Sequence, residues 1–460
     1  MKSRSDDGKQ SIYHLQFDET KAMNEKSNAW FESLEDKVGV HSRLNYISLE
    51  RFKGFESVRI DLGGFTVIVG ENASGKSNLR DALRFLHGIS KGYSFTEIIG
   101  GKWGASGIHE WLGIRGGANE IAFAGSDSFA IEIGLSCNVF AQLSNYLYRL
   151  EISETPKGRF VTTKEHIVDE NTKYPLFDAI VHNQSGLADS RKVRVNEKEY
   201  DTPFGIDTRG PIISQLLMMP GGPIDYAAYM KIHGVLDAFG GTRFFEFSPE
   251  AMRMPSSPGA WHLGDRGENL SSVLQQFCII ESQKSALIKW IRELAPIDVA
   301  DFRFKSDLTG RILVFLVDGN GNEVSPDSAS DGTLRFLATL TAMLSPSPVN
   351  GCYFFEEIDS GLHPSRLHLL TQLIEGQVRT GKRQVIATTH SPQLLSFLSP
   401  ETVDDVIVAY RMREDSSQRM RKLADIPDAQ RLVREHSIVD LHSRSWFEDA
   451  IFFSQDGSEL

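Results

Sequence analysis

Gly70 to Ser77 reads GENASGKS, whose residue types and spacing fit the pattern GxxxxGK[ST]. Gly70 and Gly75 permit a tight backbone path through Glu71, Asn72, Ala73 and Ser74. Successive N–H groups and the start of a following helix at Ser77 and Asn78 can then face phosphate oxygens. Lys76 can bridge β and γ phosphates, and the Ser77 hydroxyl can bind Mg2+. The plainer alternative is a glycine turn capped by Ser74, with Lys76 in solvent. The surroundings favour phosphate: TVIVG before the turn is strand-like, and Leu79, Leu83 and Leu86 after it recur at helical spacing.

CYFFEE, positions 352–357, is the second such stretch. Tyr353, Phe354 and Phe355 follow one another without a polar interruption, which predicts a strand covered on both faces. Burying an unpaired carboxylate is costly, so Glu356 and Glu357 belong at the mouth of the sheet. There Glu356 would hold Mg2+ directly or through water, and Glu357 would orient or deprotonate a water for attack on a γ phosphorus. Solvated strand-end acids are the alternative. QVIATTH places His390 after another apolar strand, where it could meet a γ-phosphate oxygen or the attacking water, or serve as a helix cap or a satisfied core histidine. In SDGTLRFL, Ser330, Asp331, Gly332 and Thr333 open an apolar-periodic helix. Ser330 and the backbone N–H groups there could receive an anion or form an ordinary N-cap.

The elements that must position these residues read as α/β. Residues 46–69 alternate and then become continuously apolar, which predicts an antiparallel edge hairpin leading into a buried strand. Residues 90–205 break into short strand-like pieces and predict an antiparallel β lobe, while 206–296 predict a mainly helical insertion. ILVFLVDG, the helix TLRFLATLTAML, CYFFEE, the helix around RLHLLTQLIEGQV and QVIATTH then alternate in α/β order. VDDVIVAY and the segment through RMRKL predict a closing hairpin. The domain expectation is a polar extension at 1–45, an ATPase domain at 46–410 and an α/β tail at 411–460.

Composition sets the outer limits. The chain has 460 residues, 40% of them hydrophobic, enough for a large core. A net charge of −12 gives no global argument for nucleic acid and leaves only local basic patches. Cys137, Cys278 and Cys352 are too widely spaced for a metal or disulfide framework. No window approaches the run of about 18 apolar residues needed to cross a bilayer, so a cytoplasmic setting without a membrane is the expectation. No long heptad run is present.

Taken together, GENASGKSN, SDGTLRFL, CYFFEE and ATTHSPQLL resemble the Walker A, signature, Walker B and switch-histidine elements of ATP-binding-cassette (ABC) ATPases of the RecF/SMC/Rad50 branch. Within that branch they are most similar to compact bacterial ATPases related to the overcoming-lysogenization-defect family. The resemblance spans residues 45–410 and implies an ABC-type P-loop ATPase head with ATP and Mg2+ as ligands. It implies catalytic roles for Lys76, Glu357 and His390, and a metal held by Ser77 and Glu356. It also implies a head-to-tail dimer in which Ser330 and Gly332 of another subunit complete the nucleotide site. Asp331 stands where the signature usually has its second glycine, and Glu356 where an aspartate usually precedes the catalytic glutamate. EIDSGLHP resembles the segment that couples the two sites, which makes Asp359, Ser360 and His363 interface candidates. No glutamine stands out as a lid residue. Arg51, Lys53 and Phe55 are candidate adenine stackers.

Beyond hydrolysis, the family analogy points to an ATPase that controls a separate effector, such as a nuclease in antiviral defence, with DNA or RNA as a candidate signal. A DNA-repair clamp using Arg191, Lys192 and Arg194, and a membrane-transporter energy module, are the alternatives.

Overall fold

Alternating burial along the chain builds the first hairpin, β1 (Arg43–Phe52) and β2 (Phe55–Asp61), paired antiparallel with Ile47 opposite Ile60. The computed structural model describes residues 42–426 except 105–106, 108, 140–141, 182–190, 196–197, 203–205, 218–225, 295–298, 346–350, 382 and 413–416. The expected extension up to residue 41 and the tail beyond 426 lie outside the described residues. After the hairpin comes β3 (Phe65–Gly70), buried at every position, and then helix α1 (Lys76–Ser90). Four long strands follow: β4 (Ser128–Val139), β5 (Gln142–Glu154), β6 (Phe160–Asp169) and β7 (Tyr174–Ile180). They join the hairpin in an antiparallel sheet of order β2-β1-β4-β5-β6-β7. Only β2 of the hairpin is an edge strand, because β1 pairs with β4 on its other side.

Helix α2 (Tyr226–Gly240) packs on α1 and β4 and is followed by β8 (Arg243–Phe245). Next, β9 (Val299–Ser306), β10 (Ile312–Asp318) and β11 (Glu323–Val324) form a separate three-stranded sheet. The remaining elements are α3 (Asp331–Leu344), β12 (Gly351–Phe355), α4 (Pro364–Arg379), β13 (Arg383–Thr389), β14 (Val406–Arg411) and β15 (Gln418–Lys422). The core sheet runs β8-β12-β13-β3-β14-β15, parallel throughout except for the final β14–β15 hairpin. It therefore continues past residue 410 to Lys422.

Two elements differ from the sequence reading. ILVFLVD does not enter the core sheet, because its burial alternates as befits a half-covered antiparallel strand. Conversely, the short RFF of β8 supplies a parallel edge strand from inside the helical stretch, with Phe244 opposite Phe354. Three residues are too few to show a period. Arg191, Lys192 and Arg194 lie on the strand Arg191–Val195, in a two-stranded sheet with Lys198–Thr202, and their side chains lie outside the described residues.

The aromatic run of β12 is unbroken because the core sheet is covered on both faces. Ile68, Phe354 and Ile386 join a cluster with α1, α2 and the antiparallel sheet. Val67, Tyr353, Phe355 and Ala387 join a second cluster with α3 and α4. Burying a large apolar side chain contributes about 1.5–3 kcal/mol, and Phe354 and Phe355 are sealed from solvent. The two sheets are tied together by the buried amide of Gln384. It accepts from Leu44 N at 3.0 Å and donates to the Leu44 and Gly63 carbonyls at 2.7 and 2.8 Å. Each of these backbone groups would cost about 1–3 kcal/mol if buried without a partner. Among the described residues no helix is long and apolar enough to cross a membrane.

Candidate active site

β3 lies between β13 and β14, so the chain leaves it towards both sides, and a crevice opens beyond the carboxyl ends of the strands. The turn from β3 into α1 occupies that crevice. Gly75 has φ +105°, and a Cβ there would stand 2.9 Å from the Phe55 ring, so both conformation and space demand glycine. At Gly70 a Cβ would stand 2.2 Å from the Ala409 carbonyl oxygen of β14. Lys76 is almost wholly buried and donates to the carbonyls of Gly70 and Glu71, each at 2.6 Å. A triphosphate can take over both bonds, since its oxygens are stronger acceptors for an ammonium. Burial pulls the Lys76 ammonium down to about 8, against the attraction of Glu357 and Glu356.

Strand register delivers the acids. Phe355 pairs with Ala387, which pairs with Val67, so the two residues after Phe355 reach the level of Thr389 and Val69 at the foot of the loop. Ser77 Oγ donates to Glu356 Oε1 at 2.5 Å. Glu357 takes a positive φ of 49°, a conformation costing on the order of 1–3 kcal/mol for such a residue. It is held there by its N–H to Thr388 Oγ1 at 3.0 Å and by Ile358 N–H to the Thr388 carbonyl at 3.1 Å. His390 stands between the two halves of the site, with Nδ1 3.4 Å from Lys76 Nζ and Nε2 3.4 Å from Glu357 Oε1. With Lys76 donating, Nδ1 accepts, which leaves the ring hydrogen on Nε2, facing Glu357. A cavity of about 150 Å³ is bounded by Asn72 to Asn78, Glu356, Glu357, Thr388, His390 and Gln418.

Several residues of this site were not found from the sequence. Arg80, buried in α1, ion-pairs with Glu356 and with Glu246 at 2.7 Å. Arg115 reaches the Ser77 carbonyl at 2.6 Å and stands 3.6 Å from Glu356 Oε1. Asp81, with a side chain 2% exposed, is neutralised by Lys53 at 2.9 Å and Arg115 at 3.4 Å. The available signal was the placement of Arg80, Asp81 and Arg84 among the apolar positions of an otherwise ordinary helix. Gln418 carried no signal. Its amide accepts from Asn78 at 2.6 Å and donates to the Ala73 carbonyl at 2.9 Å, bracing the loop from β15. Two of the candidate adenine stackers are committed elsewhere: Lys53 to Asp81, and Phe55 to the core beneath Gly75. The third, Arg51, donates to the Ser128 carbonyl at 3.3 Å.

Ser330 and Gly332 do not border this cavity. Ser330 is the N-cap of α3 and accepts from Thr333 N–H at 3.2 Å. Gly332 lies so close to the turn after Glu357 that a Cβ would stand 2.1 Å from the Gly361 carbonyl oxygen. Asp331 is paired with Arg253 at 2.6 Å, which offsets its charge at the helix start. Burial raises the Asp359 carboxyl, and one of its oxygens is buried without a partner.

A family model described as AAA domain, putative AbiEii toxin, Type IV TA system matches residues 65–168 and 261–396, together more than half of the chain. No curated protein matches the chain. Among solved structures it is similar to an SmcHead bound to the C-winged helix domain of ScpA, at 16% identity and TM-score 0.47, covering 82% of this chain and 97% of that one. For the SMC head domain from Thermotoga maritima the values are 13%, 0.40, 83% and 98%. For an Smc head domain with an extended coiled coil, bound to the C-terminal domain of ScpA and derived from Pyrococcus furiosus, they are 14%, 0.43, 86% and 99%.

The lowered Lys76 value gives two opposite pH trends. Between about 8 and the ordinary 10.5, the unfolded chain holds a proton that the native chain has lost, so the nucleotide-free protein gains stability as pH rises through that window. Triphosphate binding at Lys76 would restore the proton. Affinity should therefore be full below about 8 and fall as pH rises through it, by up to about tenfold per pH unit. Calorimetric ATP titrations from neutral to alkaline pH should show this fall, and Lys76→Arg, whose charge persists, should remove it. A flat wild-type profile would contradict the assignment.

Proposed function

The chain belongs to the AAA-domain family described as putative AbiEii toxin, Type IV TA system, and is an ATP-hydrolysing enzyme; we propose that it works as a Mg2+-dependent switch whose two heads close on ATP. One observation carries this reading: Lys76, Glu356, Glu357 and His390, from three separate stretches of sequence, border one cavity at the end of a parallel sheet.

In this proposal the loop N–H groups and Lys76 hold the triphosphate, and Lys76 offsets charge that builds on the transferred phosphoryl group. Glu357 is half exposed and strained towards the cavity, where it accepts a hydrogen bond from the attacking water and takes its proton. His390 orients that water or the terminal phosphate through its Nε2–H. Ser77 Oγ and Glu356 Oε1 form a hard-oxygen pair that would hold Mg2+, which would supply positive charge beside the phosphates. Among the described residues there is no group of three or more His, Cys, Asp and Glu that could hold a metal unaided.

The start of α3 supports a head-to-tail dimer. It leaves its own phosphate cavity untouched and abuts the turn that follows Glu357. Ser330 and Gly332 would then meet the nucleotide of the other subunit, and Asp359, Ser360 and His363 would lie at the seam. Closure would act on a separate effector, such as a nuclease in antiviral defence. The family's description as a toxin favours this over a DNA-repair clamp or a transport module.

Glu357→Gln should keep ATP affinity while slowing phosphate release by at least about a hundredfold, whereas Lys76→Ala should lose affinity. With ATP and Mg2+, Glu357→Gln should also double its mass in light scattering, and adding Ser330→Arg should prevent the doubling. Normal turnover by Glu357→Gln would remove the base role, and an ATP-loaded monomer would remove the dimer.

Capture of partners on the ATP-loaded Glu357→Gln protein from its native host separates the biological readings. A co-purifying nuclease supports effector control. Nucleic acid without a protein partner would shift the assignment to a clamp.

A further inference from the structure

A second cavity, of about 530 Å³, shares helix α1 with the phosphate site but none of its bordering residues. Its size is that of a small-molecule site. Three carboxylates, Glu110, Asp265 and Glu268, line it together with two kinds of group that can attract a ligand. Lys91, Arg243 and Arg266 bring positive charge, and Trp111, Phe244 and Trp261 bring flat apolar rings. The wall is already a stack of planar groups: His87 lies parallel to Trp111 at 5.8 Å and edge-on to Phe244, and the Arg84 guanidinium sits 4.9 Å over Trp111. Trp261, by contrast, is 50% exposed, an indole with one side open. Arg243 is held in place by its bond to the Leu263 carbonyl at 2.7 Å. A fixed guanidinium together with an open indole suits an anion attached to a flat ring.

The wall also has a polar connection to the catalytic acids. Arg84 stands 3.4 Å from Asp265, whose backbone carbonyl accepts from Glu246 N–H at 2.8 Å. The Glu246 carboxylate pairs with Arg80, and Arg80 pairs with Glu356. Desolvation raises the Asp265 carboxyl above its ordinary value, and the pairing with Arg84 offsets its charge.

We propose that this cavity is an effector site for a nucleobase carrying a phosphate, either a free mononucleotide or the phosphorylated end of a strand. The ring stacks on Trp261, the phosphate meets Arg243 and Arg266, and occupancy shifts Asp265 and Glu246 and thereby the hold of Arg80 on Glu356. The coupling part rests on the ATPase reading above, and the binding part does not.

The test is calorimetry on the full chain with adenosine and guanosine monophosphate, inorganic phosphate, and a short single-stranded oligothymidylate bearing a terminal phosphate. Monophosphates lack the outer phosphates that Lys76 serves. At least one should bind saturably and equally to wild type and Lys76→Ala, and at least about tenfold more weakly to Trp261→Ala, a half-exposed position at which folding is not at stake. The oligothymidylate binding as tightly as the monophosphates, at one end per chain, would identify the strand end as the ligand; weaker binding would identify the free nucleotide. Saturating ligand should change ATP turnover in wild type and leave it unchanged in Trp261→Ala, each compared with its own ligand-free rate. The site falls if no monophosphate binds, if binding disappears in Lys76→Ala but survives Trp261→Ala, or if inorganic phosphate binds as well as the monophosphates. Binding with unchanged turnover in an active ATPase overturns the coupling alone. Binding by a chain that hydrolyses no ATP overturns the ATPase reading and leaves the site standing.

Discussion

The parallel pairing of β12 and β13 with β3 is the constraint on which the rest depends. A phosphate loop binds anions wherever a glycine turn opens onto a helix, but hydrolysis also needs a carboxylate beside it, and like charges do not gather without compensation. Here the register does the gathering: Phe355, Ala387 and Val67 lie side by side, so Glu356, Glu357 and His390 emerge next to Lys76 and Ser77. A slip of two residues would keep every side chain on its face yet move the acids about 7 Å along the strands. The dense packing of Phe354 and Phe355 against different clusters resists that slip.

Charge balance around Glu356 follows from the same arrangement. Its side chain is only 12% exposed and is met by Ser77, Arg80 and Arg115, which offset its charge in a partly desolvated place. Lys76 sits on the other side of this balance, its ammonium buried against loop carbonyls with its proton held less firmly than in water. The acid thus has cationic partners and the lysine has acceptors within the chain itself. Binding of a nucleotide here would exchange these contacts rather than form them for the first time.

How far the sequence could be read depended on local pattern. GENASGKS, CYFFEE and QVIATTH carry their chemistry in contiguous residues, so both the loop and the strand ends were legible. Burial on both faces could be inferred from Tyr353, Phe354 and Phe355 because no polar residue interrupts them. What could not be read arises from pairings distant in sequence. Gln418 reaches Asn78 across 340 positions, and Arg80 meets Glu246 across 166. Likewise β8 is a strand because β12 offers it an edge, and β10 leaves the core sheet because only one of its faces is covered. For Ser330 and Gly332 the chain alone displays a helix cap and a close approach of two backbones, and a role at a nucleotide is a statement about a second copy.

The most direct measurement is a structure of the protein with Mg2+ and a non-hydrolysable ATP analogue. Lys76 Nζ should leave the Gly70 and Glu71 carbonyls, each 2.6 Å away, for phosphate oxygens. Ser77 Oγ and Glu356 Oε1, 2.5 Å apart, should separate to share the cation while Glu357 keeps its positive φ beside the terminal phosphate. An analogue bound away from this cavity, or bound in it with Lys76 still on the loop carbonyls, would contradict the account.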